Sequence, residues 1–533
     1  MKKLLSAAVF TVLLVFGCGE EQSVPADPLS LVPEDAMIVI VLNDPAGIVR
    51  NIDGYIEDGV PAMGASMLEN RICSQLEIAS LDSMPSRYGL DPFGKMVFFM
   101  DNTMSQSIIF AVSSPDLTSF MTLMEKFGAE FQADQAIDSN PVYSIENGDG
   151  TMFITGLNGV AVIATDRTEL ESIIGKLSAE TAIEVDPASL YMKYNMAMIG
   201  PLVMGQMPMA RMLMKQSVQE EPAVPLYLPE IMDVYMDGLE VFLSQTDMVE
   251  ITLSIGAEDI ILRKNVVFTE GSDLAAAVVP GQERNMLQMI PMGDLANIRF
   301  SVPEEMSYQI ARAGTGIFAS DVPEETIRFW ASLASSGGTA VYSDAEYLHQ
   351  VSAFNLPEEY TIQDVSEMYR DYFSYLIPAI SRDEEFARYF SITDNGIVQI
   401  DGCDFYNISM EINEETSMQF NYWITVNERT LLLETGNSPD RLISVINGSY
   451  QPAEVAGTGP MAGEISLAGY MELITAFTPG VMDIPEINHD LIIRWDGDYG
   501  DGSVQSEIVM NGRDASAAGF ALFEALSSSL NQN

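Results

Sequence analysis

The residues best suited to chemistry carry sulfur. Met192, Met196, Met198, Met204, Met207, Met209, Met212 and Met214 crowd one short window. Thioethers at M-x-M and M-x-x-M spacing are soft donors that suit monovalent copper. The same flexible apolar side chains also fill cores, or line a groove for an apolar ligand or a partner. Met204 and Met207, and then Met209 and Met212, stand three apart and share helix faces. Pro208 opens a helix running towards Gln219 and would break one continuing into it. Met204, Met207, Met209, Met212 and Met214 are therefore the candidate ligand-binding residues. The chain carries 33 methionines, so ordinary packing competes with both functional readings.

A second candidate is the stretch DGDYGDGSVQSE, Asp496 to Glu507. Asp496, Asp498 and Glu507 take the first, third and twelfth places of a calcium loop set between helices. Gly500-Asp501 interrupts the ligand pattern, and the flanks LIIRW and VQSEIVM read as strands. A hairpin with an acidic turn fits better. The two histidines, His349 and His489, have no H-E-x-x-H context and no neighbouring cysteine, which makes both structural or surface residues. No G-x-S-x-G elbow, Walker loop or dinucleotide fingerprint occurs, and GTGPMAG (457–463) reads as a loop. Carboxylate pairs are able to run glycoside hydrolysis, but 77 acidic residues scatter such pairs everywhere. The expectation is a protein that is not an enzyme, with no catalytic residue to nominate and no cofactor.

The elements that position these residues follow from pattern and length. A chain of 533 residues exceeds one core, and 47% apolar content argues for packed domains rather than disorder. Against 25 basic residues the scattered acids give a net charge of −52, a surface that repels nucleic acid and excludes it as a partner. Several segments recur in the same order. LVPEDAMIVIVLNDP parallels MIPMGDLANIRFSVP, each placing Pro45 or Pro303 where a helix starts. GKMVFFMD (94–101) matches GTAVYSD (338–344), and SIIFAVSSPDL parallels QVSAFNLPEEY. PVYS and its following strands resemble DFYN and its own, with Asn158-Gly159 as a hairpin turn. Each copy mixes strands of period two with helices of period 3.6. The expected fold class is α+β, two tandemly duplicated modules with largely antiparallel sheets and flanking helices. Trp330, Trp423 and Trp495 all fall in the second copy, as core residues. Cys73 and Cys403 either pair in an oxidising compartment or stay as free thiols.

The first segment is an address. Lys2 and Lys3 precede the apolar run Leu4 to Phe16, which is too short to span a bilayer and reads as a secretory signal. Its end, Val15-Phe16-Gly17-Cys18, resembles the bacterial lipoprotein box, and a plain secretory signal is the alternative. The resemblance implies cleavage before Cys18, acylation of Cys18 and a membrane anchor without a transmembrane helix. Gly19 rather than Asp after the cysteine implies the outer membrane by resemblance to Gram-negative lipoproteins. GEEQSVPADPLS (19–30) reads as a tether. The body is similar to an uncharacterised family of bacterial envelope proteins, a domain of unknown function. The matching residues are Leu31-Val32-Pro33-Glu34-Asp35-Ala36, Pro141-Val142-Tyr143-Ser144 and Val162-Ile163-Ala164. That resemblance implies no activity.

The expected organisation is a signal peptide over 1–17, a flexible tether over 18–30, and α+β modules over 31–280 and 281–533. The expected role is a non-enzymatic, lipid-anchored envelope protein facing the periplasm or exterior, acting in structure or interaction with an envelope protein partner. The alternatives are a carrier or sensor of an apolar ligand in a Met-rich groove, and a metal-binding protein.

Overall fold

The computed structural model of the chain describes residues 27–100, 107–147, 150–176, 185–220, 228–278, 285–318, 322–344, 347–356, 359–380, 390–413, 417–470, 491–500 and 502–520. Cys18, His489 and Asp501, with the signal and most of the tether, lie outside the described residues. The fold is α+β, and its strands pair antiparallel.

The first ten strands are β1 (Ile38–Asn43), β2 (Lys95–Met100), β3 (Ile108–Ser113), β4 (Phe131–Ile137) and β5 (Asn140–Asn147), then β6 (Gly150–Leu157), β7 (Val160–Ala164), β8 (Leu190–Asn195), β9 (Thr246–Ile255) and β10 (Asp259–Phe268). Their pairing runs β4-β5-β6-β7-β3-β2-β1-β8-β9-β10. The next ten are β11 (Ala296–Ser301), β12 (Ser336–Asp344), β13 (Tyr347–Asn355), β14 (Phe390–Ile400) and β15 (Cys403–Asn413), then β16 (Ser417–Asn427), β17 (Thr430–Thr435), β18 (Met461–Ser466), β19 (Ile492–Gly500) and β20 (Ser503–Asn511). They run β14-β15-β16-β17-β13-β12-β11-β18-β19-β20, the same order strand for strand.

Helices α1 (Pro45–Gly59), α2 (Met67–Leu76), α3 (Leu117–Lys126) and α4 (Arg167–Lys176) accompany the first set of strands. Between β8 and β9 come α5 (Met196–Met204), α6 (Met207–Glu220) and α7 (Leu228–Gln245). Helices α8 (Glu304–Phe318), α9 (Glu324–Ser335), α10 (Ile362–Ile380) and α11 (Asp440–Ile446) accompany the second set.

Spatially the chain forms two compact units, neither continuous in sequence. One comprises the described part of Met1–Ile199 with Asp247–Asn265 and Met510–Phe520. The other comprises the described parts of Gly200–Thr246, Val266–Val509 and Ala521–Asn533.

Local chemistry sets the element ends. Pro45 occupies the first turn of α1, where its missing N–H costs nothing, and Asp44 Oδ1 accepts from the Gly47 amide at 2.9 Å. Asp116 caps α3 by accepting from the amides of Thr118 and Ser119. Asp53 is buried, yet both its oxygens are used: the Leu68 and Glu69 amides donate to them at 2.7 and 2.8 Å, satisfying the first turn of α2. Asn158 and Gly159 take φ 47° and 83°, the left-handed pair that a two-residue hairpin between β6 and β7 requires.

In the first unit, Val39, Val41, Phe99 and Val162 build a core on one side of the strands, and Met96, Val112, Ala161 and Ile154 build another on the opposite side. β7 is consequently buried at every position, so the period-two pattern expected for strands fails there. In the second unit the two cores gather around Ala340, Val351, Phe405 and Leu432, and around Phe329, Tyr369, Tyr406 and Ile424. Trp330 packs against Phe329 and Tyr369, and Trp423 edges onto Phe405 and donates to the Gly436 carbonyl at 3.0 Å.

One letter match is out of step with the strand pairing. With Pro45 and Pro303 aligned, Val41 corresponds to Arg299. Val41 faces Val97, and Arg299 faces Gly338, so Gly338 stands where Val97 does rather than where Gly94 does. Gly338 has its own reason to lack a Cβ, because the Leu287 backbone occupies that space.

Candidate apolar docking site

The methionine window folds into α5 and α6, and α6 spans Met207–Glu220, the helix that Pro208 signals. Pro201 interrupts α5 near its end, and the turn closes when the Gly205 and Gln206 amides donate to the Pro201 and Val203 carbonyls. Gly200 approaches α7 so closely that a Cβ would strike the Leu243 carbonyl. Arg211 of α6 donates to Asp237 of α7 at 2.6 Å and lies 3.1 Å from Glu240. The Asp237 hydrogen bond raises the Arg211 pKa above its ordinary value, so this cation stays charged at any working pH.

Helix geometry then sorts the side chains. Met207, Arg211 and Met214 are four and three positions apart and share one face, as do Met209, Met212 and Leu213. Met207 is 3% exposed, whereas Met209, Met212 and Leu213 are 64%, 54% and 55% exposed. The polarity of α6 is therefore inverted, with its ion pair towards α7 and its apolar face towards water. Leu202 and Val203 of α5 and Tyr235 and Val241 of α7 are exposed too. Met204 is half-buried and Met214 lies at the edge of exposure. Met207 thus points away from Met209 and Met212, an arrangement that does not gather these thioethers around one ion.

Of the acidic candidates, Asp496 and Asp498 lie on β19 and Glu507 on β20, strands rather than helices. The Asp496 carboxylate accepts from the Thr458 amide at 3.1 Å and the Gly459 amide at 2.8 Å, so it folds the GTGPMAG loop. Among the described residues, no group of three or more His, Cys, Asp or Glu side chains is arranged to hold a metal ion. Cys73 is a buried thiol of the first unit and Cys403 a half-buried thiol of the second, and neither is in a disulfide.

His349 is buried in β13 within a charged cluster that sequence reading missed. Its Nε2 lies 2.9 Å from Glu434 Oε1, and Arg441 Nη1 lies 2.7 Å from its Nδ1. Protonation at Nε2 satisfies both contacts, Nε2–H donating to Glu434 and Nδ1 accepting from Arg441. Glu434 is fully buried and also accepts from the Leu442 amide at 2.9 Å, which caps α11. The Arg441 guanidinium sits 4.0 Å from the Tyr342 ring centroid. Burial pushes the Tyr342 hydroxyl well above its ordinary range, and it donates to the Pro291 carbonyl at 2.6 Å. Both ring nitrogens of His349 are thereby committed to structure. Spacing could not reveal this cluster, since its residues are 85 and 92 positions apart.

The inverted helix did leave a signal in the sequence. From Pro187 to Gln219 there is no acidic residue, in a chain that has 77. Among the described residues no helix is long and apolar enough to cross a membrane.

No protein-family model matches the sequence, and no curated protein matches it. Among solved structures, three crystal forms of the protein TP0453 show a distant likeness. Forms IV, III and I share 10%, 9% and 11% identity and cover 45%, 47% and 47% of this chain and 80%, 82% and 81% of theirs. Their TM-scores are 0.25, 0.26 and 0.24, values at which the likeness carries no argument about fold or function.

Proposed function

We propose that this is a lipid-anchored envelope protein without enzymatic activity, built from two copies of one α+β module and acting by docking through the outward face of α6. The observation that carries the docking is the inverted helix, with Met209, Met212 and Leu213 in water and Arg211 turned inward to α7. Large apolar side chains clustered on a surface mark interaction sites. The anchor rests on the Val15-to-Cys18 box, and the membership of an uncharacterised envelope family on the motifs at 31–36, 141–144 and 162–164.

The two copies, 31–280 and 281–533, draw support from the common strand order and from repeated side-chain contacts. Thr155 Oγ1 donates to the Pro141 carbonyl at 2.8 Å, and at the corresponding place Thr425 Oγ1 donates to the Asp404 carbonyl at 3.0 Å. Likewise the Ile108 amide donates to Thr165 Oγ1 at 3.0 Å and the Gln350 amide to Thr435 Oγ1 at 2.9 Å. The lack of enzymatic activity is favoured because the nitrogens of His349 and the oxygens of Glu434 are engaged in capping and ion pairing. A Met-lined groove for a carried ligand draws less support, since Met209 and Met212 face outward.

The direct test is fatty-acid labelling in a bacterial host. The wild-type chain should incorporate labelled palmitate and sediment with membranes, and Cys18→Ala should incorporate none. A labelled Cys18→Ala chain, or an unlabelled wild type released to the soluble fraction, contradicts the anchor.

A further inference from the structure

We infer that the surface covering the α6 face is a lipid bilayer, so that α6 and the end of α5 rest in the membrane interface as a second attachment beside the anchor. This rests on the docking reading above and commits it to one occupant.

Two observations favour lipid over a protein partner or a single apolar molecule, and a third sets how the helix lies on it. The first is charge. A chain at −52 repels a phosphate-bearing surface over most of its area, but Pro187 to Gln219 contains no carboxylate and carries Lys193, Arg211 and Lys215. The exposed apolar face lies inside that acid-free stretch, and the α7 carboxylates nearest α6, Asp237 and Glu240, are paired with Arg211 on the helix face opposite Met209 and Met212. The second is side-chain chemistry. A protein interface is anchored by shape-defined aromatic residues and arginine, whereas the outward face of α6 offers Met209, Met212 and Leu213 and turns Arg211 the other way. Unbranched thioethers adapt to a fluid, shapeless neighbour such as acyl chains. The third is length. α6 has 14 residues, about 21 Å at 1.5 Å per residue, against roughly 30 Å of hydrocarbon. A helix of that length with an apolar face and a paired cation behind it lies along the interface rather than crossing it.

The experiment uses the full-length acylated protein on vesicles of phosphatidylethanolamine and phosphatidylglycerol. A polarity-sensitive fluorophore is placed through Met212→Cys, or at the exposed Glu125→Cys of α3, in a Cys73→Ala, Cys403→Ala background shown to be folded by circular dichroism. Brominated acyl chains should quench the probe at 212 and shift its emission to the blue, and should leave the probe at 125 unchanged. Adding Met209→Glu and Leu213→Glu should cut the quenching about tenfold while the circular dichroism holds, because two apolar contacts with the chains are lost. If the protein floats with the vesicles while the probe at 212 stays in water, the anchor stands and the bilayer contact is wrong. A probe at 212 that is already in apolar surroundings before vesicles are added means a bound molecule or a second copy covers the face, which also overturns the inference. Protein that fails to float removes the anchored reading together with this one.

Discussion

Strands β3 and β7 in the first unit correspond to β13 and β17 in the second, and the two pairs solve the same packing problem in opposite ways. In the first, Ile109 lies opposite Ala164, both buried and apolar. In the second, Val351 lies opposite Glu434, so a fully buried carboxylate stands where the first unit has a methyl group. Ser107 and His349 precede the corresponding strand residues and differ likewise. The following helix explains the exchange. α4 is capped by Asp166, which accepts from the Thr168 amide at 2.7 Å, whereas α11 takes its cap from Glu434 inside the sheet. Placing the cap on a strand buries a carboxylate, which accepts from the His349 Nε2–H and has the Arg441 guanidinium 3.8 Å away. The same strand order thus carries different chemistry at one matching place.

Exchanging the corresponding residues breaks the comparison most severely. Ala164→Glu puts a carboxylate into a core with no histidine or arginine prepared for it, and should destabilise the first unit by on the order of 5 kcal/mol. Chemical unfolding followed by tryptophan-free near-ultraviolet and amide signals of that unit would measure it. Wild-type stability would mean that the two sites are not the different environments described. Glu434→Ala should cost about 3–5 kcal/mol, since it leaves the His349 Nε2–H, the Arg441 guanidinium and the Leu442 amide without their acceptor. Adding His349→Ser, the residue pair of the first unit, should recover part of that loss in a double-mutant cycle, with a coupling of about 1–3 kcal/mol.

Smaller effects sharpen the correspondence. Thr155→Val and Thr425→Val each remove one hydrogen bond at matching places, so each should cost about 1 kcal/mol and the two should agree within roughly 0.5 kcal/mol. Losses that differ by more than about 1 kcal/mol would argue that the two hydrogen bonds do not occupy equivalent places. Smaller still is the pH dependence of the α3 cap. The Asp116 carboxyl is held below its ordinary range, first by the Ser119 hydroxyl and further by the Ser119 and Thr118 amides, against an opposing effect of burial. A depressed carboxylate stabilises the fold above the unfolded value of about 3.9 and loses that contribution as the pH falls through the folded value. Asp116→Asn should therefore flatten the acid limb of the first unit's stability curve, and an unchanged limb would show the cap to be inert.

Much of this architecture was legible in the letters because it rests on local chemistry. Pro45, Pro208 and Asn158-Gly159 each fix backbone geometry within a residue or two, and helices and hairpin fall where they indicate. LIIRW and VQSEIVM read as strands, and Asp496 and Asp498 lie on β19 and Glu507 on β20. The rest depended on tertiary partners. β7 is buried on both faces, which no alternation announces, and Glu434, His349 and Arg441 meet only after β13 and β17 pair. Counting methionines located the α5–α6 region but not its polarity. The direction of the α6 face follows from Arg211 reaching α7, a contact across 26 positions. Absence of acid between Pro187 and Gln219 was the available sign, and it is visible only against the charge of the whole chain.

Methionine itself supplies the most direct test of docking. Mild peroxide oxidation followed by peptide mass spectrometry compares intact envelopes with the purified protein, reading Met209 and Met212 against buried Met207 and exposed Met292. In the purified protein Met209, Met212 and Met292 should oxidise quickly and Met207 slowly. In envelopes the account predicts that Met209 and Met212 slow towards the rate of Met207 while Met292 keeps its own. If Met209 and Met212 oxidise as fast in envelopes as in solution, nothing covers the α6 face and the docking role is contradicted.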